Sequence, residues 1–177
     1  DGKVVIGGDF TTVYGTNRNG VARLNANGSL DSGFNPGTGV TGAEYPSILS
    51  LVVRTDGKVL IGGDFTVVNG VNRNRAARLS ADGSLDSSFN PGTGADWTVR
   101  SVVLQPDGKV LIGGSSTTVA CNPSDGGCDN FSRIFLARFN ADGSRDTNFT
   151  ISSAVGQVSS IAVQPDGKVL VGSAAFV

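Results

Sequence analysis

The chain has 177 residues, 38% hydrophobic and 16% charged, with 14 Lys plus Arg against 15 Asp plus Glu for a net charge of −1. A charge so balanced and dispersed offers no basic footprint for nucleic acid or for an anionic membrane surface. No apolar run nears the ~18 residues that a membrane helix needs, and a chain without histidine cannot assemble a Ser-His-Asp or Cys-His catalytic group from its own residues.

Asp1-Gly-Lys-Val-Val-Ile-Gly-Gly-Asp-Phe10 opens the chain, and the phrase returns from Asp56, Asp107 and Asp166, at steps of 55, 51 and 59 residues. A second phrase occupies Ala26–Phe34, Ala81–Phe89 and Ala141–Phe149. A recurrence of this period marks one supersecondary unit written several times. Because the chain begins and stops inside the repeated phrase, it reads as a piece of a longer polypeptide.

The second unit can be taken residue by residue. Ile48–Arg54 is apolar and β-branched and reads as a strand. Asp56-Gly57 suits a tight hairpin turn. Lys58–Phe65 is a second strand, whose consecutive apolar residues ask for cover on both faces. Gly62 and Gly63 imply the close approach of another backbone, or a bulge. Asn69–Asn74 reads as a polar loop, Arg75–Ser80 as a third strand, Asp82-Gly83 as another turn and Ser84–Phe89 as a fourth strand. Asn90-Pro-Gly-Thr-Gly94 breaks the pattern before the next unit starts near Thr98. The hydrophobic period is two throughout, with no sustained helical period.

Four short antiparallel strands in a repeat of this length describe a β-propeller blade. The expected fold is therefore all-β, a β-propeller-type repeat of four-stranded antiparallel blades. Residues 1–36 supply strands two to four of one blade, 46–91 and 97–150 a full blade each, and 155–177 strands one and two of another. These make about three and a half blades, short of the roughly four to eight that close a ring. An incomplete ring, or part of a larger assembly, is the expectation.

The phrases Gln105–Gly114, Asn72–Leu79 and Ala81–Asn90 resemble the delta-60 repeat family, the β-propeller repeats of large bacterial surface and secreted proteins. The resemblance covers essentially the whole chain. It implies the fold and an extracellular or cell-surface location, and it brings no catalytic residues with it. The third unit departs from the pattern: Ser115-Ser-Thr-Thr-Val stands where Gly-Asp-Phe-Thr continues elsewhere, and nine extra residues separate its two phrases. Within that insertion, Cys121 and Cys128 read as a local disulfide stapling a surface loop. Two such ligands are too few for a structural zinc site.

Most carboxylates lie inside the repeated phrases, where a residue written into every blade serves the blade. Arg23, Arg78 and Arg138 each stand eight residues before Asp31, Asp86 and Asp146, so each pair can meet diagonally across a hairpin as a structural tie, between strands or between a blade and its neighbour. Alternate oxygen-bearing residues, Asp82 with Asp86 and Asp142 with Asp146, suggest a weak calcium alternative. The hairpin explanation outweighs it, because the bidentate Glu of the known calcium loop is missing. No cofactor is otherwise expected. The acids outside the repeats, Glu44, Asp96, Asp125 and Asp129, would have to converge in one pocket for a glycosidase or lyase, and no enzyme is expected.

Trp97 reads first as a cap on the core between two blades. Its second reading, with Tyr45 and the insertion residues Asp125 and Asp129, is a loop surface for a glycan or protein. The function expected is thus a non-catalytic extracellular scaffold, adhesive or filament-forming surface protein acting through blade edges and loops. Its partners would be further copies of itself or further blades. A lectin-like propeller binding a surface glycan or protein is the alternative.

Overall fold

The computed structural model describes residues 1–117, 134–151 and 156–174. Cys121, Cys128, Asp125 and Asp129 lie outside these residues. Among the described residues every regular element is a strand. Blade one pairs β1 (Val4–Gly7) with β4 (Val21–Leu24), and between them β2 (Thr12–Val13) and β3 (Thr16–Asn17) form a small hairpin. After β5 (Val40–Thr41), blade two orders β6 (Ser47–Val53), β7 (Val59–Asp64) and β10 (Ala76–Leu79) side by side, with β8 (Val67–Val68) and β9 (Val71–Asn72) as its small hairpin. Blade three holds β11 (Val99–Leu104), β12 (Val110–Thr117) and β13 (Ile134–Phe139), and blade four β14 (Gln157–Val163) and β15 (Val169–Ala174). All pairings are antiparallel.

Three local features differ from the sequence reading. Ser84–Phe89 is not a full strand; it meets its neighbour at a single bridge, Leu79 to Leu85, as Leu30 and Arg145 do in blades one and three. The reason is Asp86, whose Oδ1 takes the backbone N–H of Ser88 at 3.0 Å and its hydroxyl at 2.6 Å, curling the chain inward. The stretch 69–74 is not wholly a loop either. Asn69 and Gly70, with φ of 49° and 76°, close β8 onto β9, and Tyr14 and Gly15 do the same for β2 and β3. These successive positive φ values are those of a two-residue hairpin turn. The Asp-Gly sites turn differently: Gly57 alone goes to φ 80°, while Asp56 Oδ1 accepts the Lys58 N–H at 3.1 Å.

Blades stack through their faces. One apolar cluster joins blade one to blade two around Phe34, Ile48, Ile61, Phe65 and Leu79; a second joins blades two and three around Phe89, Val99, Val102 and Ile112; a third joins blades three and four around Leu111, Leu136 and Val158. The glycine in each second strand makes room for the next blade. A Cβ on Gly62 would stand 2.3 Å from Val102 and 2.7 Å from Val99, and one on Gly113 would stand 2.4 Å from Val158. Gly63 answers to the other expectation, since a Cβ there would meet the Ser47 carbonyl across a bulge between Ile48 and Ser50. A serine at that bulge ties neighbouring first strands: Ser50 Oγ accepts the Val102 N–H at 3.0 Å and Ser101 Oγ accepts that of Ile161 at 3.1 Å.

Candidate functional site

The two repeated phrases come together at one carboxylate in each blade. Asp31 receives Lys3 Nζ at 2.9 Å and Arg23 Nε at 2.6 Å; Asp86 receives Lys58 at 2.9 Å and Arg78 at 2.7 Å; Asp146 receives Lys109 and Arg138, both at 2.8 Å. The hairpin geometry explains the meeting. Lysine precedes the second strand, arginine lies on the third, and the aspartate follows the bridge that begins the fourth segment. Each carboxylate also accepts a backbone N–H two residues on, from Gly33, Ser88 or Asn148.

The charges set the carboxyls low. Lys3 and Arg23 hold Asp31 well below the ordinary carboxylate range, and Lys109 with Arg138 lowers Asp146. At Asp86 burial pushes the carboxyl upward, but bonds from Ser88, Lys58 and Arg78 outweigh it and the net shift is downward. Each arginine also lies over a phenylalanine: Arg23 over Phe34 at 4.9 Å, Arg78 over Phe89 at 5.0 Å and Arg138 over Phe149 at 4.5 Å. Such a stack is favourable for a guanidinium over a ring face.

The same arginine reaches the following blade. Arg23 Nη1 donates to the Ala81 carbonyl and Arg78 Nη1 to that of Ala141, each at 2.8 Å. Beside this bond the Asn35 N–H donates to the Asp82 carbonyl at 2.6 Å, and the Asn90 N–H to that of Asp142 at 2.8 Å. Gly83 and Gly143 let the turns approach, since a Cβ would stand 2.9 Å from Asn35 and 2.6 Å from Asn90. The repeat thus builds a knot within a blade and a latch between blades. The arginine–aspartate pair ties strands within a blade, and the same arginine also ties the blade to its neighbour; the lysines and the main-chain acceptors of the latch escaped the sequence reading. The lysine signal was present, because Lys and Asp are 28 residues apart in blades one and two and 37 in the blade with the insertion.

The carboxylates of the calcium alternative do not converge. Asp82 Oδ1 is held by the N–H and hydroxyl of Ser84, Asp142 likewise by Ser144, and Asp86 and Asp146 lie among cations. No group of three or more His, Cys, Asp or Glu able to hold a metal ion occurs among the described residues. Trp97 does not cap the core: it is 59% exposed, and Ala95 is the buried residue of that connection. Tyr45 is 76% exposed at the start of blade two, just before β6, and Trp97 just before β11. The acids Glu44 and Asp96 are exposed in the same two connections.

Antiparallel blades stacked by repeated inter-blade contacts define a β-propeller repeat domain. The family model described as a domain of unknown function (DUF5122) beta-propeller matches residues 1–34, 54–89 and 105–149, and the chain belongs to that family. No curated protein matches the chain, and no solved structure does.

Proposed function

We propose that the chain is a non-catalytic repeat scaffold that acts through its blade faces and edges, at a cell surface or outside the cell. The observation that carries this reading is the fate of the recurring charged residues. The recurring lysine, arginine and aspartate of blades one to three are spent on the knots, and Arg23 and Arg78 also on the latch, which leaves holding and stacking the blades as their chemistry. The resemblance of the repeated phrases to delta-60 repeats supports the location. A scaffold of this kind gains affinity from strand edges and apolar faces.

A second reading is favoured by the exposed Tyr45 and Trp97, which offer ring faces for stacking on a sugar. Incubation with a glycan array and with common polysaccharides separates the readings. The scaffold is expected to show no saturable glycan binding and no cleavage. Saturable binding lost in Trp97→Ala, or release of reducing ends, would replace it with the lectin or the enzyme.

A further inference from the structure

One surface stretch breaks the symmetry of the repeat. The segment after each knot aspartate reads Ser32-Gly-Phe-Asn35 in blade one, Ser87-Ser-Phe-Asn90 in blade two and Thr147-Asn-Phe-Thr150 in blade three. Of these, only the third writes asparagine, a residue other than proline, and threonine in succession, the tripeptide that accepts an N-linked sugar. The first and last positions of that tripeptide are exposed in all three blades: Gly33 and Asn35, Ser88 and Asn90, Asn148 and Thr150. Blades one and two are each latched to the blade that follows, so the exposure is a property of the position itself.

The two polar side chains of the tripeptide are not spent on the fold. Asn148 is tied by its backbone N–H, which donates to Asp146 Oδ1 at 3.1 Å, and among the described residues its carboxamide makes no hydrogen bond. The Thr150 hydroxyl makes none either. Between them Phe149 lies beneath Arg138 at 4.5 Å and anchors the segment to the knot. Ser88, at the same place in blade two, gives its hydroxyl to Asp86 Oδ1 and accepts from Arg78. Blade three makes its knot through Lys109 and Arg138, both at 2.8 Å, without the Asn148 side chain. Asn27-Gly-Ser29 has the same tripeptide pattern and is the contrast. Asn27 Oδ1 accepts the Ser29 N–H at 3.0 Å and its hydroxyl at 2.7 Å, the bonds that Asp82 and Asp142 make in the other blades. That asparagine fills the place of a turn aspartate, and its serine is already engaged.

We propose that Asn148 is the attachment site of an N-linked sugar, delivered by a glycosyltransferase from a donor activated as a diphosphate. In that transfer the Asn148 carboxamide nitrogen bonds the anomeric carbon of the sugar. The bond from that carbon to the diphosphate oxygen breaks, the diphosphate carrier leaves with the electron pair, and one amide proton passes to a base of the transferase. Thr150 supplies the hydroxyl that marks Asn148 as an acceptor. The carrier is a nucleoside or a lipid, and both present the same diphosphate. Neither Asn148 nor Thr150 belongs to the apolar clusters that join the blades. A sugar there adds a bulky, solubilising group to the surface without entering the stack.

The inference rests on one part of the scaffold reading, the location at a cell surface or outside the cell. Peptide mass spectrometry of the protein recovered from its own cells tests it. A sugar-sized addition is expected on Asn148, lost in Asn148→Gln and in Thr150→Ala and retained in Thr150→Ser. Both positions are exposed, so circular dichroism and the urea midpoint of the variants are expected to be unchanged. Tritiated uridine diphosphate glucose in a soluble extract of those cells, and tritiated polyprenyl diphosphate N-acetylglucosamine in their membrane fraction, distinguish the carriers. Label entering Asn148 from either one supports the proposal. Asn148 bare in every copy, a sugar carried at Asn27 instead, or an addition indifferent to Thr150→Ala overturns it. A bare Asn148 in protein recovered from the surface or the medium leaves the scaffold reading standing, whereas a chain confined to the cytoplasm removes the location in that reading.

Discussion

Asp86 shows why the knot is worth repeating. It is almost closed off from solvent, and four side-chain or backbone donors aim at it. Removing its charge leaves Lys58 and Arg78 facing each other without a counter-ion. Asp86→Asn is therefore expected to lower stability by roughly 2–4 kcal/mol, read as a fall in the urea midpoint, while Asp56→Asn at an exposed turn is expected to cost well under about 1 kcal/mol. The knots also set the pH response. A carboxyl lowered on folding adds stability at every pH above its ordinary value of 3.8 and loses that contribution as pH falls toward the folded value. Thermal stability is thus expected to stay level from about pH 8 to about pH 5 and to drop below about pH 4. The chain has no histidine to impose a transition nearer neutrality. A melting temperature that falls between pH 7 and 5 would count against the knots as the main titrating ties.

At the scale of the element, the second strand of each blade is the piece that decides packing. β7 is buried along nearly its whole length, and Gly62 within it gives way to Val99 and Val102 of the next blade. Gly62→Ala is expected to cost roughly 1–3 kcal/mol by overpacking, detected as a lower midpoint and as faster amide exchange in β11 as well as in β7. An effect confined to β7 would mean that the blades are not coupled there. Much of this element was legible beforehand. The apolar run Val59–Ile61 announced cover on both faces, and the paired glycines announced a close approach. The small hairpins were not legible, because Asn69–Asn74 is polar and only the left-handed backbone at Asn69 turns it into β8 and β9. The fourth strand was over-read for the opposite reason. Its residues suit a strand, but the Asp86 carboxylate captures the backbone two residues on and bends it away. Trp97 misled through its ring: the small Ala95 fits the narrow space between blades and the tryptophan stays outside.

For the whole molecule, the latch matters most and was the least visible in the sequence. Its acceptors are main-chain carbonyls, which any residue supplies, and its partners lie 58 and 63 residues apart. What repeats is the donor, for which the sequence offers a tie within the blade or to its neighbour but names no partner other than the aspartate eight residues away. Blades one to three lock by the same arginine, turn and phenylalanine, so the latch is the tie on which the stacking account depends. The most direct test is amide hydrogen exchange in the wild-type chain and in Arg78→Lys. The account predicts faster exchange at Asn90, whose N–H bonds the Asp142 carbonyl beside the bond from Arg78 to Ala141. Protection unchanged at Asn90, with the loss confined to the Asp86 knot, would contradict it.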